Sequence, residues 1–205
     1  MPTIYFKMDI KKYYQQSFEI IKRNKKIIFI LTALYILFLV SGLIYNSITY
    51  TSSFSSEDAK KAYNEFFKTT IVKDTFIGNF IYIFSHNIIA SLFRIVTGIV
   101  LGIIPIFYII SDGISNSYSL VSSMIDEGVY RALLGFLPHS LFETPAFILS
   151  SSLGLMIFIS VFKKDRMKNI IKTFKESLIV FTSIILPLLF IAAIIESVAI
   201  LIYWF

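Results

Sequence analysis

Residues 27–45 form a run of 19 positions without one charged side chain. A helix rises about 1.5 Å per residue, so the run matches the roughly 30 Å of hydrocarbon in a bilayer. In lipid every backbone polar group needs a partner within the chain, which favours helices for a run of this kind. A secretory signal has a shorter apolar core, of about 7–15 residues, and a cleavage site of small residues. Here 26 residues precede the run and no such site comes after it. We expect a retained transmembrane helix.

Composition agrees. Of the 205 residues 56% are apolar and only 16% charged, against about 25% charged in soluble domains. That balance excludes a disordered chain, a collagen-like chain and an ordinary soluble enzyme. The absence of cysteine excludes a disulfide framework, a thiolate metal site and a cysteine nucleophile.

Further along the chain lie more apolar stretches. Residues 76–111 hold one charged side chain, Arg94, and are further interrupted at His86 and Asn87. As one helix they would be roughly 54 Å long. As two spans turning at Arg94 they would have almost no loop, where helix hairpins use about 2–5 residues. We expect one crossing over residues 87–110, with 76–85 outside it; two crossings are the alternative. Residues 139–162 and 177–205 are clear candidates, the latter with a kink at Pro187. Between them and the second stretch, residues 113–137 carry Asp126, Glu127, Gly128 and Arg131 and read as a broken or re-entrant span.

Charge sets the expected orientation. Residues 7–26 hold seven bases and residues 163–175 hold six, whereas residues 46–74 hold four bases and four acids. Cytoplasmic loops are enriched in Lys and Arg. Both basic segments therefore belong inside and the balanced one outside, giving five crossings with the N-terminus cytoplasmic and the C-terminus extracytoplasmic. The +6 net charge reads as orientation toward anionic lipid, with no nucleic-acid partner expected. The expected organisation is a single integral membrane domain over residues 1–205. It comprises a cytoplasmic amphipathic helix in 1–26, an extracytoplasmic helical loop at 46–75 and a basic cytoplasmic loop at 163–176.

Both basic segments are amphipathic. Phe6, Ile10, Tyr13, Tyr14, Phe18 and Ile21 make one stripe, and Met167, Ile170, Ile171, Phe174 and Leu178 another. Such helices lie in the headgroup plane or pack their stripe on neighbouring protein. In the outer loop, Ser55, Ser56, Glu57 and Asp58 read as a helix start, with Tyr63, Phe66, Phe67 and Ile71 on its apolar face.

Ionisable groups inside a membrane are costly and mark functional candidates. This chain has His86, Arg94, Asp112, His139, Glu143 and Glu196. His139 and Glu143 are four apart and share a helical face. Pro138 suits a helix start, and Pro145 would kink that helix one turn later. We expect a buried polar network of His86, Asn87, Asp112, His139, Glu143 and Glu196. A metal set of His139, Glu143 and His86 is the less favoured reading, since the chain has two histidines and no H-E-x-x-H motif; no cofactor is expected. Gly98 and Gly102 form a GxxxG in an apolar context, and Gly154 comes just after the Ser150–Ser152 run; all three permit close helix packing. No glycine-rich phosphate loop or nucleophile elbow occurs, so no catalytic residue is expected.

The order of these elements resembles the stage II sporulation protein M family of small bacterial and archaeal membrane proteins. The resemblance spans residues 80–196. Ser85-His86-Asn87 stands where the family has a paired Asn, with Gly98 and Gly102 after it. Asp112-Gly113 stands for an Asn-Gly. Pro138-His139-Ser140-Leu141-Phe142-Glu143-Thr144-Pro145-Ala146 is similar to Pro-His-Gly-x-x-Glu-x-x-Ala, and Gly154 and Glu196 complete the series. Three positions depart: His86 and Asp112 for Asn, and Ser140 for Gly. The resemblance implies a polytopic α-helical membrane protein without assigned catalysis, whose namesake scaffolds peptidoglycan-degrading partners.

The fold expected is therefore all-α, a polytopic membrane helix bundle of about five transmembrane helices with flanking interfacial helices. The function expected is a non-enzymatic structural or assembly subunit of a larger complex in the cell membrane, with lipids and other membrane subunits as partners. The alternative is a transport protein, either a channel-like unit or the permease partner of an ATPase; an intramembrane metallohydrolase stands third.

Overall fold

The computed structural model describes residues 10–53, 75–99 and 101–204. Every element among them is helical: α1 (Ile10–Arg23), α2 (Lys25–Ser53), α3 (Phe76–Thr97), α4 (Ile103–Asp126), α5 (Val129–Val161), α6 (Arg166–Val180), a π-helical turn (Phe181–Ile185) and α7 (Leu186–Trp204). Four stretches are long and apolar enough to cross a membrane: Lys25–Thr49, Phe76–Thr97, Val129–Val161 and Arg166–Ile202. The chain is a polytopic helical bundle. Between these stretches α4, with 24 residues, lies along α2. Its Asp112, Asn116 and serines dilute its apolar character.

The second crossing departs from expectation. There is no single helix over residues 87–110. Helix α3 already starts at Phe76, where the Thr75 hydroxyl accepts from the Gly78 N–H at 3.1 Å. It stops at Thr97, and α4 begins at Ile103. Pro105 explains the break. Inside a continuous helix its ring would strike the carbonyl of residue 101 and remove a hydrogen bond. As the third residue of α4 its missing N–H is one that no helix pairs. Consequently Gly98 and Gly102 lie in the turn between two helices, not within one.

The segment 113–137 is likewise divided. Its first part is the second half of α4, and its last part is the start of α5. The break is at Gly128, whose φ of 90° suits glycine. Helix α5 then runs 33 residues through both Pro138 and Pro145, so Pro138 is interior and does not start a helix. Residues 46–53 continue α2, and most of the basic stretch 163–176 belongs to α6 rather than a loop. The serine–acid helix start and the aromatic face expected at residues 55–71 lie outside the described residues.

Contacts fix the helix directions. Tyr35 meets Gly113 and Asn116, while Asn46 meets Ser117, so α2 and α4 run the same way. Asn87 reaches Glu143 and Gly98 meets Gly154, so α3 and α5 share a direction. Glu196 approaches His139 and Glu143, while Ile185 and Leu189 share a core with Ile157, so α7 opposes α5. Pro105 of α4 also meets Gly154, while Asn116 shares a cavity with His139. That sets α4 against α5.

The bundle is apolar outside and finely polar within. Ser91, Ser117, Ser150, Ser151, Ser160, Ser177 and Ser197 are fully buried, several bonded back to the preceding turn. Phe29, Ile30, Leu37, Ile44, Ile77, Ile89, Ile103 and Phe107 point outward. Lipid is as apolar as leucine, so helices gain by bringing small residues together and leaving large ones to the acyl chains. Gly98 and Gly154 show it: a Cβ on either would collide with the other helix's backbone, and one on Gly102 would strike the Phe158 ring.

At one end α1 packs against α6 and the π turn. Ser17 and Ser183 share a 2.6 Å hydrogen bond, Tyr13 and Thr182 one of 3.0 Å, and Arg23 pairs with Glu176. The stripe expected on α1 is thus divided. Of its residues Ile21 faces protein, joined by the unforeseen Ser17 and Ile20, whereas Tyr14 and Phe18 stay exposed; Phe6 lies outside the described residues.

A candidate polar site within the bundle

The interior holds two linked polar groups. In the first, Arg94 of α3 grips Asp112 of α4 with both guanidinium ends, Nη2 donating at 3.0 Å. The pair is nearly dry, its side chains 5% and 19% exposed. The guanidinium lies 4.2 Å from the Phe147 ring centre and 4.9 Å from that of Tyr108. Bidentate geometry and aromatic faces compensate for the water Arg94 has lost. Its Nε, however, is buried without a hydrogen bond.

In the second group, His139 and Glu143 project from one face of α5, and Glu196 comes from α7. A ligand atom from each lies within 4.8 Å of the others. Asn87 of α3 is buried beside Glu143. Between the groups is a cavity of about 50 Å³ lined by Asp112, Asn116, His139, Ser140, Glu143 and Thr144, with Phe136 and Phe147. Such a volume admits a water or a small ion. Asn116 leads on from it, donating to the Tyr35 hydroxyl at 3.0 Å.

Five of the six residues expected in the polar network therefore lie together: Asn87, Asp112, His139, Glu143 and Glu196. His86 does not. It is on the exposed side of α3 with its ring stacked on Tyr82, centroids 6.3 Å apart. One residue along a helix is about 100° of rotation, and on α3 the orientation that buries Asn87 leaves His86 exposed. The metal set of His139, Glu143 and His86 is thereby excluded as a cluster; Glu196 stands in the third place.

Arg94 is visible in the sequence as an ionisable group in an apolar run, but its partner is not. The available signal is economy of charge: a buried arginine needs a carboxylate, and Asp112 stands in the next apolar stretch. Asn116 and Tyr35 give no comparable sign.

Neither a curated protein nor a solved structure matches the chain. A family model does, that of stage II sporulation protein M, over residues 14–199. The match takes in every residue of the buried site, and the chain belongs to the stage II sporulation protein M family.

Proposed function

We propose that this protein is a non-enzymatic subunit that organises or completes a larger assembly in the cell membrane. The observation that carries the reading is the enclosure of the polar site. Pockets for small molecules measure about 300–1,000 Å³, whereas the cavity here is about 50 Å³. The cavity is lined from α4 and α5, and the polar site around it adds Asn87 and Arg94 from α3 and Glu196 from α7. These groups fasten four helices together, leaving the outer apolar surface and the basic α1–α6 end for partners and lipid.

Orientation rests on the same packing. The two basic segments are docked on each other, and we place that end in the cytoplasm. With α2, α4 and α7 running one way and α3 and α5 the other, the chain crosses five times and ends outside. Purification from native membranes, with identification of what accompanies the protein, tests the function. Stoichiometric membrane subunits are expected. A stable protein that purifies alone and conducts a solute in liposomes would replace this reading with transport.

A further inference from the structure

We propose that His139, Glu143 and Glu196 form a divalent transition-metal site that ties α5 to α7. The donor chemistry is suited to it: imidazole and carboxylate are ligands for Zn²⁺ and its first-row neighbours. The geometry is suited too. His139 and Glu143 stand one helical turn apart, a spacing that aims two side chains at one point. Glu196 enters from the opposing helix, and the three ligand atoms lie within 4.8 Å of one another. Ligands of tetrahedral zinc stand about 3.4 Å apart, given bonds of about 2.0–2.2 Å. Each side chain therefore needs to move by about an ångström or less.

Two independent observations point to a cation. The first is charge. Asp112 is answered by Arg94, but the carboxyls of Glu143 and Glu196 face each other with no lysine or arginine paired to either among the described ion pairs. An ion of charge +2 offsets both. The second is the setting of the histidine: the Nδ1 of His139 is buried without a well-aligned hydrogen bond, while Asn87 holds Glu143 from α3. The cavity beside His139 and Glu143 leaves room for a water as fourth ligand. Placed there, the ion would cross-link two helices that the polypeptide joins only through a long detour around α6.

The test uses the full-length protein in detergent, stripped with a chelator and titrated with Zn²⁺ or Co²⁺ alone. One ion per chain is expected, with visible Co²⁺ absorption of a low-symmetry nitrogen–oxygen site and a higher unfolding temperature in Zn²⁺. Glu196→Gln and His139→Ala should each weaken binding at least tenfold. His86→Ala, which alters the exposed histidine, should bind as the unaltered protein does. Absence of saturable binding in the unaltered protein overturns the proposal whatever the variants do. So does binding that survives Glu196→Gln but is lost in His86→Ala. None of these outcomes depends on whether partner subunits co-purify.

Discussion

Removing the carboxylate of Asp112 probes the bidentate ion pair inside the bundle. In Asp112→Ala the Arg94 guanidinium stays where Phe147 and Tyr108 hold it but loses both of its charged hydrogen bonds. Breaking a buried ion pair by deleting one partner costs about 3–5 kcal/mol in soluble interiors. Polar contacts between helices in bilayers average about 0.6 kcal/mol and reach about 1.7. Asp112 also lies within electrostatic reach of Glu143, so its loss relieves some repulsion. The bidentate, nearly dry geometry puts the expected cost at about 2–3 kcal/mol, between those limits. For a chain of this length that corresponds to a fall of roughly 5–10 °C in unfolding temperature. Far-UV circular dichroism during heating in detergent measures it. The double variant Arg94→Met with Asp112→Leu, which replaces both charges by apolar bulk, should recover most of the loss. A fall below about 2 °C for Asp112→Ala would refute the reasoning. So would a double variant less stable than either single one.

Other outcomes rest on particular contacts. Gly154→Val should abolish folded expression, because its new Cβ would collide with the Arg94 carbonyl and stand 3.0 Å from Pro105 Cγ. Gly128→Ala meets no neighbouring atom but must keep φ 90° and ψ 152°, a region essentially confined to glycine, so it should cost only backbone strain, about 1–3 kcal/mol by thermal unfolding. Ser17→Ala removes the 2.6 Å bond to Ser183 and should lower stability by about 1 kcal/mol; hydrogen exchange should quicken in α1 and remain unchanged in α5. Single cysteines at Lys164 and Glu127, at opposite ends of α5 in a chain without native cysteine, should react with an impermeant thiol reagent from opposite sides of the membrane.

What can be read from the sequence divides along physical lines. Uninterrupted apolar runs announce themselves, so α2, the later part of α5, and α7 are legible. The i, i+4 relation of His139 and Glu143 is legible because it needs only helical geometry. Glu196 can be assigned to the interior, since a carboxylate facing lipid is untenable. The boundary between α3 and α4 is misplaced because Pro105 sits in a run apolar enough to hide it. Without that boundary the pairing of Arg94 with Asp112 cannot be drawn. Pro138 misleads in the other direction: it marks a helix start in isolated sequence, yet α5 passes through it.

The π turn at Phe181–Ile185 bears on how the chain tolerates changes of length. Ser177, Phe181, Ile185, Leu189, Ala193 and Ser197 are all buried, one every four residues. In a regular helix each step of four drifts by about 40°, or roughly 200° by Ser197. The widened turn takes back about 100° of that drift, the contribution of one residue. The turn thus acts as a stored insertion between the basic α6 and the membrane-embedded α7. Deleting one residue within it would let the helix regularise while leaving Glu196 aimed at His139 and Glu143. The same deletion at Phe190, beyond the turn, would swing Glu196 by about 100° away from them.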